Sequence, residues 1–312
     1  MSWFKHVIRS IDFLNDPELS LQKIEEKITG IGIADYEVKD LTGEKGTTTI
    51  VKVRIHRQTE GEKSEKPRTL GIIGSLGGVG VRPKKIGLVS DADGAIVALA
   101  CMMVFGEMSR RCERLPGDVI ISTHVTPSAP ILPHDPVPFV GSPINLYELL
   151  EIEVDARMDA VLSIDATKAN RVAKWSGFAI TPPVKEGWVL KLPDEILDIY
   201  ERVSGRAPCV VPITTQDVTP YGTGISHINS IVQPWLKTNA PVVGVATTAR
   251  SPIAGSATGA NYPIGLEQAT RFCIEVAKQY TRKECAFYDT EEFTRLRELY
   301  GDMSERFKRR LP

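Results

Sequence analysis

The sequence predicts an α/β protein of three layers, with a mixed, mostly parallel central sheet covered by helices on both faces. From about residue 69 onward, short apolar runs such as TLGIIG (69–74), DVIIST (118–123) and PVVGVAT (241–247) alternate with helical stretches. A strand that is apolar throughout belongs in a sheet buried on both sides. Ahead of these, residues 36–41 and 47–57 alternate with period two and are joined by Thr-Gly-Glu-Lys-Gly. They read as an antiparallel hairpin.

Taken in order, Asp16-Pro17 opens a helix through about Ile28, with Leu19, Leu21, Ile24 and Ile28 on one face and Gly30 as its stop. The hairpin follows, then a charged loop, Gln58–Arg68, with no apolar residue. TLGIIG is a buried strand. GLVSD (87–91) reads as another and leads into a helix over 94–111 rich in Ala, Val and Met. After the strand DVIIST come a proline-dense loop (127–143), a short helix (Asn145–Leu150), the strand DAVLSIDAT (159–167) and short strands within 176–192. A helix (Asp194–Val203), a strand CVVPIT (209–214), a helix near 225–236 and the strand PVVGVAT come next. A long amphipathic helix (Ile264–Tyr280) and a highly charged one (290–308) complete the order. No linker divides the chain. It is expected to be one domain over 1–312, with the helices at 16–28 and 290–308 as appendages.

Composition narrows the partners. The net charge is −1, so no global field favours nucleic acid or an anionic membrane. The five cysteines are an odd set with no CxxC spacing, which points to buried thiols in a reducing compartment, hence the cytoplasm. The stretch MSWFKHVIRSIDFLND carries charges among its apolar residues, so no secretory leader is expected. No apolar run of membrane-spanning length stands out, so no span is expected either.

In such sheets ligands bind at the loops leaving the carboxyl ends of the strands. Ser90-Asp91-Ala92-Asp93-Gly94 joins a strand to a helix. Asp93 is read as the helix N-cap. Asp91 is then left over as a candidate metal ligand or base. Asp165 follows a run of apolar or small residues, and a carboxylate there must be bonded to loop amides or coordinated. His124 ends DVIISTH and is either a hydrogen-bonded core residue or a ligand. Asp217 and His227 flank TPYGTGIS, a loop able to wrap a ligand. Arg250 follows Thr247-Thr248, where it pins a loop or meets a substrate carboxylate or phosphate. GSLGGVG (74–80) lacks both the GxGxxG pattern and the Gly-Lys-Ser/Thr ending of phosphate loops. Its glycines are expected to serve close backbone approach or tight turns.

The order of these pieces over about 36–280 resembles the zinc exopeptidases, especially the glutamyl-aminopeptidase-like and acetylornithine-deacetylase-like members. As a whole the chain is similar to a bacterial and archaeal family of about this length, which adds no chemistry. The resemblance implies that Asp91 in SDADGA and Asp165 in SIDAT are metal ligands. It places Ser75 where a histidine ligand is usual and Gly77 where an aspartate is. DVIISTHVTP offers no glutamate where the superfamily has a pair, and His124 lies near that position. VGVATTARSPIAG lacks the last histidine, with Arg250 in the same turn.

Two functions follow from the resemblance. One is a metal-assisted hydrolase of amides or small peptide-like substrates. In it Asp91 and Asp165 hold zinc, manganese, cobalt or magnesium, and His124 assists catalysis. Ser75, Arg250, Asp217 and His227 bind substrate. The other is a descendant, non-catalytic or differently catalytic, that binds an amino acid, peptide or polar metabolite in the same cleft. A homo-oligomer is compatible with both.

Overall fold

The computed structural model describes residues 3–57, 66–75, 77–135, 137–170, 172–212 and 230–303. Its strands are β1 (Asp35–Gly43), β2 (Gly46–Ile55), β3 (Thr69–Gly74), β4 (Asp118–Val125), β5 (Ile131–Leu132), β6 (Phe139–Val140), β7 (Ala160–Ala166), β8 (Gly177–Ile180), β9 (Val184–Lys185), β10 (Trp188–Val189) and β11 (Val242–Thr248). The main sheet runs β1-β2-β4-β3-β7-β11-β9-β10, with β8 also paired to β11, while β5 and β6 form a separate small hairpin. The four central strands, β4, β3, β7 and β11, are mutually parallel. Antiparallel strands flank them on both sides.

The helices are α1 (Phe4–Leu14), α2 (Leu21–Ile31), α3 (Asp93–Arg110), α4 (Leu146–Glu153), α5 (Asp194–Ser204), α6 (Pro263–Thr281) and α7 (Thr290–Tyr300). One face of the sheet is covered by α3 and α6, with α1, α2 and α5 packed around them in the same apolar cluster. On the other face Ile73, Ile120, Val161 and Ala246 pack with Val154, just after α4, and with Trp235 and Ile231 of a 3-10 segment, Ser230–Leu236. Alternation along each central strand divides the layers: Ile72, Ile121, Ile164 and Val245 face the α3–α6 layer, and their neighbours face the α4 side.

The centre of the fold is α3, buried over nearly its whole circumference. With the 3-10 turn before it, Ser90–Arg110 has the length and hydropathy of a membrane span, a run the sequence reading passed over; 89% of that window is buried inside the fold. A helix apolar all round is what the inner layer of such a sandwich needs. It is packed closely enough that Gly106 has no room for a side chain: a Cβ there would lie 2.4 Å from the Ile31 carbonyl oxygen.

Several expected elements are redrawn. The helix expected over 16–28 starts at Leu21, because Ser20 caps it by accepting from the Lys23 amide. Asp16 instead closes a turn, accepting from the Glu18 amide and the Lys23 ammonium. The helix ends at left-handed Gly32 (φ 81°), not Gly30. A separate helix, α1, precedes it, with His6, Val7, Ser10 and Leu14 on its buried face. GLVSD is not a strand: Gly87 takes φ 109°, Val89 makes a single bridge to Thr258, and Ser90–Ala92 is a 3-10 turn. Of the expected strand CVVPIT, residues 213–214 lie outside the described residues; among the described ones only Val210 bridges, to Ile180, because β8 and β9 already occupy the side of β11 that a strand there would need. The proline-dense loop contains the β5–β6 hairpin. The charged helix stops at Tyr300, followed by Gly301 at φ 80°.

Gly106→Ala is expected to push α2 off α3 and destabilise the protein by about 1–3 kcal/mol, read as a lower urea midpoint with an unchanged slope.

Candidate functional site

The four parallel strands end on one edge, and the loops that leave it carry most of the residues singled out from the sequence. The glycine run is packed, as expected, rather than open to a phosphate. A Cβ on Gly74 would lie 2.4 Å from the Gly94 carbonyl oxygen, and one on Gly77 would lie 1.7 Å from that of His124. These glycines let the β3 loop lie directly on α3 and β4.

At the start of α3, Asp93 is fully buried. It is not the N-cap that the sequence suggested, since α3 has no side-chain cap. Its carboxylate instead meets the Lys168 ammonium at 2.5 Å, the Thr247 hydroxyl at 2.6 Å and the Asn261 amide nitrogen at 2.6 Å. Lys168 is only 3% exposed. It follows β7 by two residues, in left-handed backbone (φ 42°) with Ala169 beside it (φ 66°). Its ammonium also donates to the Ala260 carbonyl at 3.1 Å and lies over the Tyr262 ring. Four segments thus converge on one carboxylate: the head of α3, the loop after β7, the end of β11 and the loop before α6.

Asp91 lies two residues away beneath the 251–259 loop. Its carboxyl sits where a side chain on Gly255 would have to be, and among the described residues it accepts one hydrogen bond, from the Val140 amide at 3.4 Å. Burial pushes its pKa up to about 7, with the Asp93 charge adding to the rise and Val140 and Lys168 opposing it.

On the α4 side of the same edge, β4 directs Ser122 and His124 toward Glu153, at the end of α4. Ser122 donates its hydroxyl to the Glu153 carbonyl at 2.8 Å, and His124 Nδ1 lies 2.7 Å from Glu153 Oε1. Glu153 is 1% exposed and His124 6%. On the next strand, the Ser75 amide bonds the Ile164 carbonyl and its hydroxyl meets that of Ser163 at 2.9 Å. Asp165 shares the Ser163 face by alternation and accepts from the Ala166 amide at 2.6 Å. Arg250 follows β11 and donates Nε to the Ser176 hydroxyl at 3.0 Å.

Ser75, His124 and Asp165 therefore leave adjacent strands on one face. Asp91 belongs to the α3 layer, and Arg250 lies farther along the edge. Asp217 and His227 lie outside the described residues. Sequence reasoning missed Lys168, Thr247, Asn261 and Glu153. The signal for Lys168 was present, as a lysine in SIDATKAN directly after a strand-end aspartate. Glu153 was hidden because the helix was expected to end at Leu150.

Among the described residues no three of His, Cys, Asp and Glu are grouped as a metal site. The donor chemistry agrees. Asp93 is already neutralised by an ammonium, and the Nδ1 of His124 is taken by Glu153. Two carboxylates alone make a poor zinc site. The described residues do not fit a resident metal.

The fold and this edge define an α/β protein with a strand-end site. The chain belongs to the family described as "Protein of unknown function (DUF1177)", which matches residues 39–310. No curated protein matches it. Among solved structures it is similar to the LapA aminopeptidase of Legionella pneumophila, with 9% identity over 88% of this chain and 70% of that one and a TM-score of 0.46.

The raised Asp91 pKa makes a stability prediction. The protonated carboxyl favours the folded state. That contribution is fully present below the unfolded value of 3.8 and is lost as pH rises through about 7. Asp91→Asn removes the titration. The wild type is expected to lose stability relative to this variant across that window by roughly 1.4 kcal/mol per pH unit, measured by urea denaturation at a series of pH values. A difference flat in pH would contradict it.

Proposed function

We propose that this chain is a peptidase-like hydrolase of small amides or peptide-like substrates. It works at the edge formed by β3, β4 and β7, with His124 as base and no divalent metal at Asp91 and Asp165. The observation behind this reading is the 2.7 Å contact between His124 Nδ1 and Glu153 Oε1, while no described residue bonds the other ring nitrogen. An ionised carboxylate only accepts, so the proton sits on Nδ1 and Nε2 presents a lone pair. Nε2 takes a proton from a water attacking the substrate carbonyl and returns it to the leaving amine. Ser75, steadied by Ser163, and Asp165 bind the polar groups of the substrate. Arg250, with its Nε fixed by Ser176, offers the outer edge of its guanidinium to a carboxylate. One observation favours the alternative, a cleft that binds an amino acid, peptide or polar metabolite without turnover: the His124 ring is largely covered.

A panel of aminoacyl anilides and dipeptides, assayed with chelator and with added zinc, manganese, cobalt or magnesium, separates the readings. Slow hydrolysis indifferent to chelator is expected. His124→Gln should lower it by about 100-fold or more. Saturable binding of free amino acids without hydrolysis would leave the binding role. Hydrolysis that needs metal and is lost in Asp91→Ala would restore the metal-assisted mechanism.

A further inference from the structure

Three parallel strands bring Ser75, His124 and Asp165 to one level. Gly74 stands opposite Thr123 of β4 and Ile164 of β7, so the next residue, Ser75, stands between His124 and Asp165. The Ser75 amide continues the ladder by donating to the Ile164 carbonyl at 2.9 Å, and the Thr123 hydroxyl ties the end of β4 to the Gly74 carbonyl at 3.0 Å. Ile73, Ile120 and Val161 pack on the α4 side, and alternation puts Ser75, His124 and Ser163 on that side too. Neighbouring strands lie about 4.8 Å apart, so side chains at one level on one face are neighbours.

The ring of His124 is oriented from both sides. Behind it, Nδ1 lies 2.7 Å from the carboxylate of buried Glu153. The edge away from Nδ1, Cδ2 with Nε2 beside it, faces the loop that Ser75 opens: a Cβ on Gly77 would lie 2.7 Å from Cδ2. Only glycine lets the backbone approach the ring so closely. A carboxylate behind an imidazole and a hydroxyl ahead of it is the arrangement that activates a serine. The Ser75 hydroxyl has one further neighbour, the Oγ of fully buried Ser163 at 2.9 Å, and either hydroxyl can be the donor. With Ser163 donating, the Ser75 oxygen is held in place and its proton stays available to Nε2.

We infer that Ser75 is a nucleophile, activated by the His124–Glu153 pair, and that catalysis runs through an acyl-enzyme. It rests on His124 acting as a base, the role given to it above, and adds a covalent step before water. Nε2 takes the Ser75 proton as Oγ bonds to the substrate carbonyl carbon, whose π electrons move onto the carbonyl oxygen. As the carbonyl re-forms, the carbon–nitrogen bond breaks and the amine leaves with the proton from Nε2. Water then adds to the ester carbon and gives a proton to Nε2. The bond to Oγ breaks, Oγ takes that proton back, and the carboxylic acid departs. Water is the only co-reactant. An ester follows the same steps with an alcohol as leaving group, so small esters are substrates as well.

The experiment treats the full chain, with chelator present, with a fluorophosphonate: Oγ bonds to phosphorus, fluoride leaves and the proton passes to Nε2. One phosphonyl group on Ser75, located by peptide mass, is expected, and its uptake should be slower in His124→Gln. Ser75→Ala should take up none. Its hydrolysis of p-nitrophenyl acetate and of any amide the wild type cleaves should fall by about 100-fold or more. Melting temperatures check that both variants fold; where one does not, the mapping on the wild type decides. No phosphonyl group on Ser75, a group carried by another residue instead, equal uptake by folded His124→Gln, or a smaller loss in folded Ser75→Ala overturns the inference. Amide hydrolysis by a chain that takes no group on Ser75 overturns it alone and leaves water attacking the substrate directly. Labelling of Ser75 without amide cleavage supports it and removes the amide reading above.

Discussion

The carboxylate of Asp93 is the point on which the architecture turns. A charge with no exposure is tolerable only if its partners are strong and complete, and here an ammonium, a hydroxyl and an amide converge on it from three other parts of the chain. The helix that carries Asp93 is the inner layer of the fold. The partners come from the loop after β7, the end of β11 and the loop before α6. The contact therefore does more than neutralise a charge: it fixes how the central helix enters the sandwich relative to the strands whose ends make the site. Thr247 sits at the seam. Its hydroxyl serves Asp93 on the α3 layer, and its carbonyl holds the backbone of the lysine loop.

The two layers of the edge are built on different physics. On the α3 side, closure is nearly complete: Asp91 is pressed under Gly255 and kept from ionising readily by burial. On the α4 side, hydroxyls, a histidine and carboxylates line neighbouring strands, and Ser75 and Asp165 keep partial exposure.

Much of the fold was legible because strand and helix periods are local properties. TLGIIG, DAVLSIDAT and PVVGVAT were recognised as buried strands from composition alone, and the hairpin from alternation and its glycine-bearing turn. GLVSD and CVVPIT have the same apolar character, but whether such a run joins a sheet depends on which strand edges are free, and that is a non-local matter. The first helix, α1, escaped because its buried face includes His6 and Ser10, which blur an apolar stripe. The site divides in the same way. Strand-end residues such as His124 and Asp165 could be picked from position, since ligands gather at carboxyl ends. Lys168 and Glu153 could not be assigned their partners, because each pairing joins segments distant in sequence, and a lysine in a polar loop normally reaches for solvent.

The sheet ends on both sides in hairpins. Among the described residues β1 pairs only with β2, and charged Glu37, Lys39 and Asp40 stand along it; at the far end β10 is two residues long. An outermost strand with charges along it, or one too brief to template a neighbour, resists being extended by a strand from another molecule. Both ends of the sheet therefore disfavour its continuation from one molecule into the next.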